Sequence, residues 1–108
     1  MKKYLLLMLV LFASNSFSSN FRGVVEKMIV GSGEHRVYVH LKGAPKTCDN
    51  DHPLGFNYAF SLRDHGAGRE IFSSLLAAQM AGKEVTVQGN SQCTVSTDME
   101  DIGYIYTY

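Results

Sequence analysis

Three things are scarce in this chain: cysteine, an excess of either charge, and long apolar runs. Cys48 and Cys93 are its two cysteines, ten basic residues face ten acidic ones, and the one sustained apolar run is Tyr4 to Ala13. Each scarcity argues against a class of protein. A general nucleic-acid binder shows a basic excess gathered on one face. A membrane-spanning helix needs about 20 apolar residues, which this run does not reach and no later run approaches. Thiol-based metal or redox chemistry wants a CxxC or a nearby Cys/His ligand set, and neither is written here.

What is present begins with "MKKYLLLMLVLFASNSFSS", where Lys2 and Lys3 precede the apolar run and small residues, Ser16 and Ser18 among them, follow it. This has the form of a secretory signal peptide. We expect cleavage near Ser18 or Ser19, with residues 1–19 as the leader and residues 20–108 as one domain. Its short Lys-Lys start points to a bacterial exporter and a secreted or periplasmic product. Losing Lys2 and Lys3 leaves eight basic residues against ten acidic, a mature charge of about −2. The remaining chain of about 90 residues sits near the small end of what a single core stabilises. In an oxidising compartment an even pair of cysteines is most simply a disulfide. A Cys48–Cys93 bridge would close a loop of about 45 residues and contribute roughly 4 kcal/mol.

Local patterns divide the mature chain into six elements. "FRGVVEKMIV", Phe21 to Val30, is rich in Val and Ile and breaks at "GSG", which reads as a first strand entering a hairpin. In "EHRVYVHLKG", Val37, Val39 and Leu41 alternate with Arg36, Tyr38, His40 and Lys42, the period of a half-buried second strand. "APKTCDNDHP" is an exposed loop. A third alternating run sets Leu54, Phe56, Tyr58, Phe60 and Leu62 on one face against Gly55, Asn57, Ala59 and Ser61 on the other.

A helix is expected over Arg69 to Ala81, with Ile71, Phe72, Leu75, Leu76 and Gln79 or Met80 as its apolar stripe and Gly82 as its left-handed end. Val85 and Val87 mark a fourth strand. "NSQCTVSTDMED" carries Cys93 through a polar turn, and "IGYIYTY" is a fifth strand with Ile102, Tyr104, Tyr106 and Tyr108 in one row. The order β-β-β-α-β-β, with short strands and tight turns, suits a mostly β fold, a five-stranded barrel of the OB type. A ferredoxin-like arrangement would need a helix where the chain has only "GSG".

No catalytic set emerges, and we expect no enzyme. The serines of "FSSLL" lie in the helix rather than on a nucleophile elbow. His35, His40, His52 and His65 are scattered, without the i, i+4 spacing of a helical zinc site. Asp49, Asp51 and His52 share a loop but lack the length and glycine of a calcium loop, so a solvated acidic turn is the plainer reading. No metal and no cofactor is implied. Tyr38, Phe56, Tyr58, Phe60, Tyr104, Tyr106 and Tyr108 are core if they point inward and sugar-stacking platforms if they point outward.

At "SLLAAQMAGKEVTV", Ser74 to Val87, the chain resembles the helix-to-strand junction of the Shiga-type toxin B subunit, with its Ser-Leu-Leu, Ala-Gln and Gly before a Val-Thr strand. "GVVEKMIVGSGEHRVYVHL" looks like that family's first hairpin and "EDIGYIYTY" like its last strand. The resemblance implies an OB-fold binding subunit of an AB-type bacterial toxin. Such subunits form a homopentamer whose helices line a pore, bind a host-surface glycan and carry a toxin A subunit. It makes Ser73, Ser74, Ala77, Ala78 and Ala81 the helix face where copies approach, and has neighbours pair by edge strands. That family's first cysteine lies at the start of strand one, where this chain has Phe21 and Arg22, so Cys48 takes its part. The sugar-contacting residues do not carry over, because "VGSGEH" lacks the family's acidic run and "APKTCDNDHP" is an insertion. Ligand-binding residues are thus unknown from sequence. The rival expectation is a stand-alone periplasmic OB-domain protein with an envelope or inhibitor role.

Overall fold

The computed structural model describes residues 19–31, 35–45, 47–48 and 55–108. The expected leader up to Ser18, residues 32–34 with the last two residues of the "GSG" break, and residues 49–54 with Asp49, Asp51, His52 and Leu54 lie outside the described residues. Five strands, β1 (Asn20–Val30), β2 (Arg36–Leu41), β3 (Tyr58–Ser61), β4 (Glu84–Gly89) and β5 (Glu100–Thr107), and one helix, α1 (Gly68–Ala81), follow in the expected sequence. The strands close a barrel in the order β1-β2-β3-β5-β4. Every ladder is antiparallel except β3 with β5, which runs parallel over Tyr58↔Glu100 and Ala59↔Asp101.

β1 is long enough to serve both sides of the barrel. Its first half pairs with β4 from Asn20↔Gln88 to Val24↔Glu84, and its second half pairs with β2 from Val25↔Leu41 to Val30↔Val37. A register shift between Val25 and Lys27 bends the strand where it changes partner. The alternation predicted for β2 and β4 holds, with Val37, Val39, Leu41, Val85 and Val87 fully buried. They join Tyr58, Phe60 and Ile102 and the α1 residues Ile71, Leu75 and Ala78 in one core cluster. Burying each such side chain contributes about 1.5–3 kcal/mol.

Two faces differ from the expected pattern. The third strand is shorter than the alternating run, and although Tyr58 and Phe60 alternate with the small Ala59 and Ser61 as expected, all four are buried, so its small side is covered as well. Before Tyr58 no ladder imposes a period of two. The Asn57 side chain accepts from Leu41 N–H at 3.1 Å and donates to Pro45 O at 3.2 Å, and Phe56 packs with Ala59 and Met99 in a second cluster, apart from Tyr58 and Phe60. On α1 the stripe is Gly68, Ile71, Leu75 and Ala78 rather than one that includes Leu76 and Met80, which are 38 % and 81 % exposed. Gly82 ends the helix at φ 67°, as expected, with Lys83 N–H closing onto Ala78 O.

A disulfide joins Cys48 to Cys93 across 45 residues, with Cα atoms 6.5 Å apart. It ties the segment after β2 to the segment before β5. The second segment is also held by Asp101, whose carboxylate accepts from Thr94 N–H at 2.9 Å, Val95 N–H at 3.0 Å and the Thr94 hydroxyl. Replacing both cysteines by serine is expected to lower stability by about 2–4 kcal/mol in urea unfolding. An unchanged midpoint would mean that Asp101 alone holds the loop.

Candidate binding face

The site begins with a one-residue irregularity. On β5, Gly89 pairs with Ile102 while Gln88 pairs with Tyr104, so Gly103 is the extra residue of a bulge. A strict period of two would have put Ile102, Tyr104, Tyr106 and Tyr108 on one side. The bulge splits that row: Ile102 is 1 % exposed inside the barrel, whereas the three tyrosines are between 52 and 59 % exposed outside it.

Outward residues of the three adjacent strands then fall into register. Asn20 stands across from Gln88, which stands across from Tyr104; Arg22, Thr86 and Tyr106 form the next row. Val24, Glu84 and Tyr108 come next along the same strands, because Val24 pairs with Glu84 and Val85 with Thr107. The Arg22 guanidinium lies 3.8 Å above the centre of the Tyr108 ring, and its Nε is 3.8 Å from a Glu84 carboxylate oxygen. The Thr86 and Tyr108 hydroxyls share a 2.8 Å hydrogen bond. Tyr104 and Tyr106 meet edge to face, with centroids 5.6 Å apart and planes at 83°. The Tyr104 phenol, as hydrogen-bond partner and then as like charge, holds the Tyr106 phenol above the ordinary value of 10.0. Tyr106 is therefore uncharged in neutral solution and offers a flat apolar ring with a polar rim.

Beside this face α1 leaves a groove of about 350 Å³, lined by Ser74, Ala77, Ala78 and Ala81 on the helix and by Glu84, Thr107 and Tyr108 on the sheet. The residues singled out for close helix approach thus occupy two positions. Ser73, Ala77 and Ala81 are exposed and Ser74 is half-buried, whereas Ala78 belongs to the core. A second, larger cleft of about 750 Å³ opens at the start of α1, where His35, Arg63, His65, Arg69 and Glu70 meet Phe72. Among the described residues no group of three His, Cys, Asp or Glu side chains is placed to hold a metal ion.

Of the seven aromatics considered, Phe56, Tyr58 and Phe60 are core, Tyr38 is half-buried, and Tyr104, Tyr106 and Tyr108 form the platform. Sequence reasoning missed Arg22, which no local pattern ties to Tyr108, and it left Glu100 and Asp101 in a polar turn. Both acids are buried in β5. No protein-family model, curated protein or solved structure matches the chain. Because the platform stands outside the core, Tyr106→Ala is expected to change stability by less than about 1 kcal/mol, against about 3–5 kcal/mol for Phe60→Ala. Thermal unfolding of the two variants checks this, and a large loss at Tyr106 would make it a packing residue.

Proposed function

We propose that this chain is a secreted or periplasmic binding subunit, an OB-type barrel that assembles with copies of itself and holds a glycan on its tyrosine face. The exposed row of Tyr104, Tyr106 and Tyr108 carries the reading. Sugars present apolar C–H faces ringed by hydroxyls, and this surface pairs open rings with Thr86, Glu84 and Gln88 on the adjacent strand and Arg22 on the one beyond it, which supply donors and acceptors. The closed order β1-β2-β3-β5-β4, with β3 and β5 parallel and the helix between β3 and β4, supports the OB assignment.

Two surfaces support assembly. From Ile71 to Gly82 the helix has no charged residue, and Leu76 and Met80 lie on its outer side beside Ser73 and Ala77. A helix face meant for water would carry charge. Among the described residues β5 pairs with β3 only at Glu100 and Asp101, so its remaining length has an open edge, and β1 beyond Val24 has left its ladder with β4. Ile29 and Val30 are exposed near that second edge. Two different open edges on one molecule fit a head-to-tail contact, which closes into a ring when the rotation allows. Five copies and an A-subunit partner follow from the resemblance to toxin B subunits.

Light scattering of the mature protein at micromolar concentration should give about five times the subunit mass, and Leu76→Glu should yield a monomer with an unchanged fold. A wild-type monomer would sink the ring. On a glycan array the intact protein should bind a sugar, with Tyr106→Ala weakening it at least about tenfold and Arg69→Ala leaving it unchanged. The opposite pattern would move the site to the cleft at the start of α1.

A further inference from the structure

Glu100 is 0 % exposed, and the residue before β1, the end of β4 and the turn after it converge on its carboxylate. Ser19 N lies 3.3 Å from one carboxylate oxygen and 3.4 Å from the other, and the Ser19 hydroxyl also donates to it. Ser91, held at a left-handed φ of 68°, aims its N–H at the carboxylate from 2.9 Å. Gly89 passes so close that a Cβ there would lie 1.9 Å from a carboxylate oxygen, and its own N–H donates to Ser19 O at 2.9 Å. Burial pushes the Tyr58 phenol up, and the Glu100 charge adds to this. Tyr58 thus stays protonated and can donate to the Ser19 hydroxyl, 3.1 Å away.

These donors are neutral; they offset part of the several kcal/mol that burying a carboxylate costs, and a positive charge beside them would offset more. Ser19 N sits midway between the two oxygens, where an amide can only divide its one hydrogen between two long contacts, whereas an α-ammonium brings a positive charge and a hydrogen for each oxygen. The residues before it supply an independent observation. Small residues at the third and first places before a cut are the mark of a signal-peptidase site. Ser14 and Ser16 satisfy this for a chain starting at Phe17, and Ser16 and Ser18 for one starting at Ser19. A cut after Ser19 would put Phe17 at the third place.

We propose that the leader is removed between Ser18 and Ser19, and that the new α-ammonium of Ser19 becomes the ionic partner of buried Glu100. Hydrolysis of the Ser18–Ser19 peptide bond consumes one water, leaves a carboxylate on the leader and frees the amine, which takes up a proton. Processing therefore supplies a countercharge to a barrel whose strands already close: the ammonium that ties the residue before β1 to Glu100 of β5 exists only in the cleaved chain. The inference stands apart from sugar binding and from ring formation, and it rests on the leader being exported.

Intact mass of the protein exported from a bacterial host with its own leader should place the first residue at Ser19. A start at Phe17, Asn20 or elsewhere, or a retained leader, overturns the assignment. Purified chains that begin at Ser19 and at Ser18 test the ion pair. The one-residue extension should lower Tm by at least about 4 °C, and in Glu100→Gln the two starts should melt within about 1 °C of each other. Should Glu100→Gln fail to fold, amine acylation of the two native chains decides: the Ser19 amine should react at least about tenfold more slowly than the Ser18 amine. Equal melting of the native chains, or equal acylation rates, overturns the ion pair.

Discussion

Closure of the barrel depends on a two-residue parallel ladder, Tyr58↔Glu100 and Ala59↔Asp101, where β5 begins beside β3. Such a short ladder supplies few backbone hydrogen bonds. Its side chains reach further: Asp101 gathers the loop that bears Cys93, and Glu100 gathers Ser19, Ser91 and the backbone of Gly89. One acid thus faces the disulfide-linked loops and the next faces the start of β1. Alternation along a strand sends neighbouring side chains to opposite faces, and here that places two carboxylates at two separate junctions. The Glu100 backbone N–H is itself taken by the Thr47 hydroxyl at 3.0 Å, which brings the segment before Cys48 to the same point.

From that anchored start β5 runs outward, and the bulge at Gly103 decides what the molecule shows to its surroundings. One additional residue moves Tyr104, Tyr106 and Tyr108 from the inner row to the outer one. The inner row then continues with Ile105, half-buried against the core. Cross-strand register sets the remainder of the face, since Thr86 and Arg22 stand in line with Tyr106 across two ladders. Arg22 reaches Tyr108 from the next row because a long side chain spans the diagonal on a pleated surface.

Legibility of the sequence followed how local each cause was. β2 and β4 were plain in their alternating valines, and the helix in its spacing and in Gly82, because periodicity and caps act over a few residues. The Cys48–Cys93 bridge was plain as well, since only one pairing exists. The helix stripe was misjudged at Leu76 and Met80, and the third strand at Phe56, where apolar residues lay near the right positions and only the packed neighbour could select among them. The exposed tyrosine face was half legible: the tyrosine row stood out, while its outward direction and its partner Arg22 did not.

Element type, element order and the disulfide were determined by the sequence alone, because each follows from spacing, from turn chemistry or from a count of two thiols. Tertiary structure decided which way the tyrosines point and where the two acids lie. A bulge is specified by the partner strand as much as by the bulged one, and no pattern within "EDIGYIYTY" announces that Gly103 will be skipped. The burial of Glu100 has the same character, for a carboxylate next to a polar turn reads as solvated until Ser19, Gly89 and Ser91 are brought around it from positions 81, 11 and 9 residues away.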